Sequence, residues 1–148
     1  MKVLSLLQPW ASLAVMGIKT IETCGWQTTH RGHLLIHASK GKAGSIFADK
    51  PFIKKHIPDF KNLPFGAIIG MVLLTEVVQT AALWHSRETI NNLTLEDNAF
   101  GGSEQGRYAW LFEEAIEFAV PFSARGSIHV WNCPPHTEQE IIQLISNK

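Results

Sequence analysis

Apolar and polar positions along this chain fall into segments of two kinds. "KVLSLLQ" near the start is an almost unbroken apolar run closed by Pro9, the pattern of a buried first strand. "WASLAVMG" spaces its apolar residues as a helix does and stops at Gly17, which predicts a short helix ending there. "KTIETC" alternates, with Thr20, Glu22 and Cys24 on one face and Lys19, Ile21 and Thr23 on the other. A bulge or turn at Gly17-Ile18 would bring Lys19 round towards Glu22. If the segment opens as a helical turn instead, the spacing of three aligns the pair directly.

"HLLIHAS" reads as a second clear strand after a turn at Arg31-Gly32. The lysine-rich stretch that follows contains a helix, "AGSIFADKPFIKKH", interrupted or restarted at Pro51. "GAIIGMVLLTEVVQT" is long, β-branched and apolar, which predicts a well-buried central strand. A helical or loop excursion through "AALWHSRETINNL" and a polar glycine-rich loop, "EDNAFGGSEQG", come next. "RYAWLFEEAIEFAVPF" gives two strands or one bent one, and "GSIHVWN" a last strand. The tail is a helix, opened by a capping box at Thr137-Glu138-Gln139-Glu140 ahead of Ile141, Ile142 and Leu144. About six strands with helices early and late predict an α+β fold, a small β-barrel or strongly curved sheet flanked by helices.

Composition narrows this picture without redirecting it. A chain of 148 residues, 45% hydrophobic and 18% charged, fits a single domain over 1–148 with its own core. No apolar run reaches the roughly 18 residues that span a bilayer, and the start lacks a signal peptide's basic region and cleavage site, so no membrane partner is expected. Two cysteines, Cys24 and Cys133, make no disulfide framework, which points to a reducing cytoplasm and makes the sequon-like Asn92-Leu93-Thr94 accidental.

A net charge of zero argues against strong nonspecific binding to long nucleic acid, which rests on neutralising many phosphates. The charge is nonetheless uneven: +4 between Lys40 and Lys61, and −5 from Glu96 to Glu117. Such a dipole can steer a small anionic ligand or a short single strand. Two plainly solvated faces would leave the same pattern.

Candidate chemistry centres on Lys19 and Glu22. Spacing alone favours an ordinary surface ion pair, worth under about 1 kcal/mol. In a pocket, Glu22 would serve as a base or water-orienting group, and Lys19 as a donor or nucleophile whose pKa falls on desolvation. Five tryptophans are many for this length, and core packing is their usual role. Trp10 and Trp26 bracket the lysine–glutamate segment, however, and an aromatic face beside a hydrogen-bonding group such as Gln8 is what base stacking requires. His30, His33 and His37, with Cys24, match no zinc spacing, so no metal is expected. Nothing signals thiolate activation at either cysteine, and "FGGSEQGR" lacks the context of a phosphate-binding loop, so it reads as a loop over the barrel mouth.

"MGIKTIETCGW" resembles the hallmark G-x-K-x-x-E-x-R of the ASCH family (activating signal cointegrator homology), within the PUA-like superfamily, read here from Gly17 to Cys24. "LSLLQPWASL", "RGHLLIHAS", "GRYAW" and "PFSARGSIHVWN" match further pieces in order, so the resemblance runs along nearly the whole chain. It implies a PUA-like barrel whose cleft beside the first helix binds RNA or a modified nucleoside. Relatives include acetylcytidine amidohydrolases, proposed ribonucleases, and RNA-binding or coactivator domains. The amidohydrolases' catalytic lysine maps to Lys19, while the position of Glu22 is a catalytic threonine in some of them. Cys24 stands where the motif has arginine and offers no planar fork to a phosphate or carbonyl. Arg31 or Arg107 could fill that gap from another strand.

The resemblance turns Lys19 and Glu22 from a surface pair into expected cleft residues. Gln8, Trp10, Trp26, Arg31, His37, Ser39, Arg107 and Trp110 are the candidate ligand contacts, and no cofactor is expected. Two functions follow: binding of RNA or a modified nucleoside, or hydrolysis of such a nucleoside or of RNA through Lys19 and Glu22. A noncatalytic interaction module is the third. The oligomeric state is not legible.

Overall fold

A computed structural model describes residues 1–81 and 107–147. Nearly all of the expected excursion carrying Trp84, and the whole of the glycine-rich loop after it, lie outside the described residues. In chain order the elements are β1 (Lys2–Leu6), α1 (Trp10–Val15), β2 (Ile21–Cys24) and β3 (Gly32–Ala38). A 3-10 turn (Ala43–Phe47), α2 (Pro51–His56) and a second 3-10 turn (Phe60–Asn62) lead to β4 (Ala67–Gln79) and β5 (Tyr108–Ser123). β6 (Val130–Asn132) and α3 (Pro135–Ser146) close the described chain. The strands form one six-stranded sheet, ordered β2-β5-β4-β3-β1-β6. β1 and β3 run parallel and every other pairing is antiparallel. The sheet curls into a half-barrel carrying, among the described residues, three helices, the α+β architecture expected.

Burial on both faces explains why the central strands are such continuous apolar runs. Leu34 and Ile36 of β3 join Leu4, Ile69, Val72, Trp110 and Phe112 in a core roofed by Ala11, Ala14 and Val15 of α1. Leu35, between them, points the other way and packs with Val3, Ile68, Met71, Phe118 and Ile141 of α3. A third cluster seats Ile53 and Ile57 of the α2 segment on Leu13 of α1. The pairing of β4 with β5 shifts register three times, and Glu114 within β5 takes φ +48°. Such irregularities bend and twist a strand pair, so "RYAWLFEEAIEFAVPF" is one bent strand rather than two.

Three local expectations resolve differently or more sharply. The break at Pro51 is a restart: Pro51 occupies the first position of α2, where its missing N–H leaves no partner unsatisfied. The last strand is only Val130–Asn132, because His129 takes φ +57° and the residues from Gly126 to His129 form the turn entering it. The capping box is not used. α3 begins earlier, at Pro135, with no side-chain cap, leaving Thr137 and Glu138 inside its first turn.

The turn that delivers Lys19 is set by Gly17, at φ +78°. Its N–H bonds the Ala14 carbonyl while the N–H of Ile18 reaches back to Leu13 O, the paired bonds of a Schellman helix end. The Lys19 N–H also bonds Leu13 O, so the chain leaves α1 sharply and enters β2 with Lys19 turned inward. A left-handed backbone costs an L-residue about 1–2 kcal/mol. Gly17→Ala is therefore expected to lower the unfolding free energy by about that much in urea titration. An unchanged midpoint would show that this turn does not hold the first helix to β2.

Candidate functional site

Lys19 is buried, at 1% exposure, which rules out a loose surface pair. Its Nζ donates to the carbonyl of Ile21 at 2.5 Å, lies 3.7 Å from Glu22 Oε2, and sits 5.8 Å from the centre of the Trp10 ring. The ammonium is thus held by a carbonyl dipole, a carboxylate and an aromatic face. The 3.7 Å separation is an ion pair but too long for a hydrogen bond. Glu22 lies on β2 opposite Trp110 of β5, with 14% of its side chain exposed. Burial pushes its carboxyl above the ordinary value of 4.5, against the opposing pull of Lys19, the Thr23 backbone and Arg107.

Arg107 is one of the two arginines considered for the gap at Cys24. It enters at the head of β5, donates from Nη2 to Thr23 O at 3.0 Å, and its charge acts on both Glu22 and Cys24. The Arg31 guanidinium is engaged elsewhere: it bonds the carbonyls of Thr28 and His30 and pairs with Glu76 at 3.2 Å. Cys24 is buried in the barrel core, where desolvation and then the Glu22 charge push its thiol up to about 12. It is an unreactive thiol at neutral pH.

Two buried polar atoms here are left without hydrogen-bond partners among the described residues: Glu22 Oε2, an acceptor, and Arg107 Nε, a donor. Trp26 is linked to them through Trp110, the partner of Glu22 across the β2–β5 pairing. Its ring is half-buried, edge-on to Trp110 and to His129 at 4.7 Å each, and its carbonyl accepts the Trp110 Nε1–H at 3.3 Å. Trp110 is fully buried, so of this pair Trp26 alone keeps exposed surface.

The remaining candidates are placed elsewhere. Gln8 is fully buried and its amide is spent on structure: Oε1 accepts the Ser12 N–H and Nε2 donates to Pro64 O. Trp10 packs on Phe47 and the α2 cluster while offering its face to Lys19. His37 and Ser39 lie at the end of β3, in a cavity of about 510 Å³ that shares no residue with the Lys19 site. Against Lys19 itself, on the Gly17 side, the described cavity is about 80 Å³. Sequence reasoning missed His129 as a neighbour of Trp26, and the 124–128 turn as a cavity wall. Both were visible in "SARGSIH", but a continuous strand there hid them.

Residues 4–122 match the ASCH domain. The chain is 28% identical over 134 residues to activating signal cointegrator 1 of Homo sapiens, and likewise to that of Mus musculus. Each match takes in 86% of this chain but only 21% of the relative, so the chain spans about a fifth of their length. Among solved structures it resembles ASCH from Zymomonas mobilis, with a TM-score of 0.57 and 17% identity over 97% of this chain and 94% of that one. A crystal structure of a mutant of the same protein gives 0.57 and 17% over 97% and 96%. The half-barrel fold is common to them, and the domain match covers most of the chain. This chain belongs to the ASCH domain family, which is associated with RNA binding.

Proposed function

We propose that the chain binds a nucleobase, of RNA or of a modified nucleoside, at the cluster of Lys19, Glu22, Arg107 and Trp26. The unpartnered pair of Glu22 Oε2 and Arg107 Nε carries this reading. A buried polar atom without a partner is expensive, and here one acceptor and one donor lie close enough for the Arg107 charge to act on Glu22. A nucleobase edge presents donors and acceptors side by side, and Trp26 supplies an aromatic surface for stacking. The 80 Å³ space on the Gly17 side of Lys19 admits water rather than a base, so the ligand approaches from Glu22 and Trp26.

One observation favours a catalytic version. A carboxyl held above its ordinary range by burial, next to a buried ammonium, takes up a proton more readily than an exposed carboxyl does. Glu22 would relay the proton and Lys19 would stabilise charge developing on the carbonyl oxygen of an acetylcytidine-like amide. Chromatographic assay of acetylcytidine and a panel of modified nucleosides separates the two versions. Product from the wild type and none from Lys19→Met supports hydrolysis; no product from any substrate leaves binding alone.

Binding is read by tryptophan fluorescence during nucleoside titration. Stacking is worth about 1–3 kcal/mol per base, so Trp26→Ala is expected to weaken affinity by roughly 5- to 150-fold. Between about 50 and 200 mM salt the affinity of an uncharged nucleoside stays nearly constant. A steep loss over that range would show instead that strand phosphates carry the binding.

The raised carboxyl also predicts a pH dependence of stability. A group whose folded pKa exceeds its unfolded value contributes stability fully present below the unfolded value and lost as pH rises through the folded one. Glu22 therefore weakens the fold progressively above the ordinary 4.5. Glu22→Gln removes that titration, so its stability relative to wild type rises with pH over this window and then levels off. Parallel urea titrations across the range check this, and a gap that stays constant with pH would mean that Glu22 is not desolvated.

A further inference from the structure

The cavity of about 510 Å³ at the end of β3 is built differently from the Lys19 cluster. Its floor is a fixed polar chain. Trp131 Nε1–H donates to Ser5 Oγ at 3.1 Å, Ser5 Oγ lies 3.0 Å from His37 Nδ1, and His37 Nε2 lies 2.8 Å from Ala124 O. A carbonyl only accepts, so Nε2 carries the hydrogen and Nδ1 accepts from the Ser5 hydroxyl. His37, buried and held below its usual pKa by desolvation, is a neutral strut that ties down the turn after β5. Its ring is so close to that turn that a Cβ on Gly126 would lie 2.7 Å from its Cε1.

Two cations stand on this frame. Arg125 follows the tethered Ala124, and the Lys40 stem lies across Gly66, where a Cβ would come within 2.9 Å of its Cε. Ser39 and Ser127 add hydroxyls to the lining. No acidic residue lines the cavity, and neither Lys40 nor Arg125 has an ion-pair partner among the described residues. The contrast is a groove of about 620 Å³ on the α2 side, which has Lys42, Lys54 and Lys61 in its wall. There Asp49 and Asp59 share the wall, and Lys54 already pairs with Asp49 at 3.6 Å. Cations answered by acids make a solvated surface, whereas cations left unanswered around a recess with hydroxyls make an anion site.

We infer that the recess formed by Ser39, Lys40, Arg125 and Ser127 over the His37 floor binds a phosphate group. The Arg125 fork takes two phosphate oxygens, the Lys40 ammonium supplies a point charge, and the hydroxyls donate to what remains. This site stands independently of base recognition at Glu22, because none of the Lys19-site residues lines it.

The test is a ¹H–¹⁵N NMR titration in phosphate-free buffer at constant ionic strength, with inorganic phosphate as the probe. Saturable shifts at the amides of Gly66 and residues 125–127 are expected, and Arg125→Glu, at an exposed position, should weaken them at least tenfold without moving the melting temperature. Cytidine, cytidine 5′-monophosphate and a cytidine dinucleotide are then compared at the same amides. Saturation by the monophosphate alone assigns a terminal phosphate, and saturation by the dinucleotide as well assigns a strand phosphodiester. Shifts that do not saturate, that survive Arg125→Glu, that fall at Lys42 and Lys61, or that cytidine reproduces equally well would overturn the inference. None of those results bears on nucleoside binding read through Trp26, so the two sites fail separately.

Discussion

Everything in this domain hangs on a sheet buried from both sides. β1, β3 and β4 send alternate residues into two different cores, so neither face can be given up to solvent. α1 covers one face and α3 the other, and the sheet curls where β5 takes its irregular pairing with β4. A one-residue slip in any central strand would exchange the two cores, which fixes register firmly. With most of the sheet committed to packing, the two polar clusters described above lie at the β2 edge and at the end of β3. β2 carries Glu22, with Lys19 just ahead of it, and at the other cluster His37 of β3 is joined by Ser5 of β1 and Trp131 of β6.

The ion pair on the β2 side is a poor way to stabilise a fold. Withdrawing an ammonium and a carboxylate from water costs several kcal/mol each in real proteins, and a 3.7 Å contact recovers only part of that. The surroundings compensate Lys19 well, through the Ile21 carbonyl and the Trp10 ring, and Glu22 poorly. That asymmetry is the physical reason for regarding the carboxylate as the working end. Lys19 is locked, whereas Glu22 has an unused oxygen and a carboxyl already shifted towards protonation.

Much of this was legible in the sequence where a local rule had a single solution. Gly17 could only end a helix and turn the chain, and the apolar run at 67–79 could only be central. The Lys19–Glu22 pair was ambiguous for a physical reason: a spacing of three says the side chains can meet but nothing of how much protein lies over them. Arg107 could not be chosen over Arg31 without the pairing of β2 with β5, a contact between residues 84 apart in sequence. The same holds for Gln8, whose amide looks available until Pro64 and Ser12 are seen to use both ends. "GSIHVWN" misled because its apolar pattern is that of a strand. The left-handed backbone of His129, which the pattern does not reveal, starts the strand only at Val130.

On the readings proposed above, the two polar sites divide labour by charge. At the β2 edge the Glu22 carboxylate offsets one of two cations, Lys19 and Arg107, and its free oxygen beside the Arg107 Nε–H offers the acceptor and donor that a base edge would meet. At the end of β3, Lys40 and Arg125 face no acid, so the field is uncompensated and favours an anion. A zero net charge is the sum of such opposed local fields, and it weakens long-range attraction to a polyanion while leaving short-range recognition intact. A protein built this way gains affinity from a few fitted contacts instead of from many loose phosphates. On those readings a single nucleotide or a short segment suits it better than a long duplex.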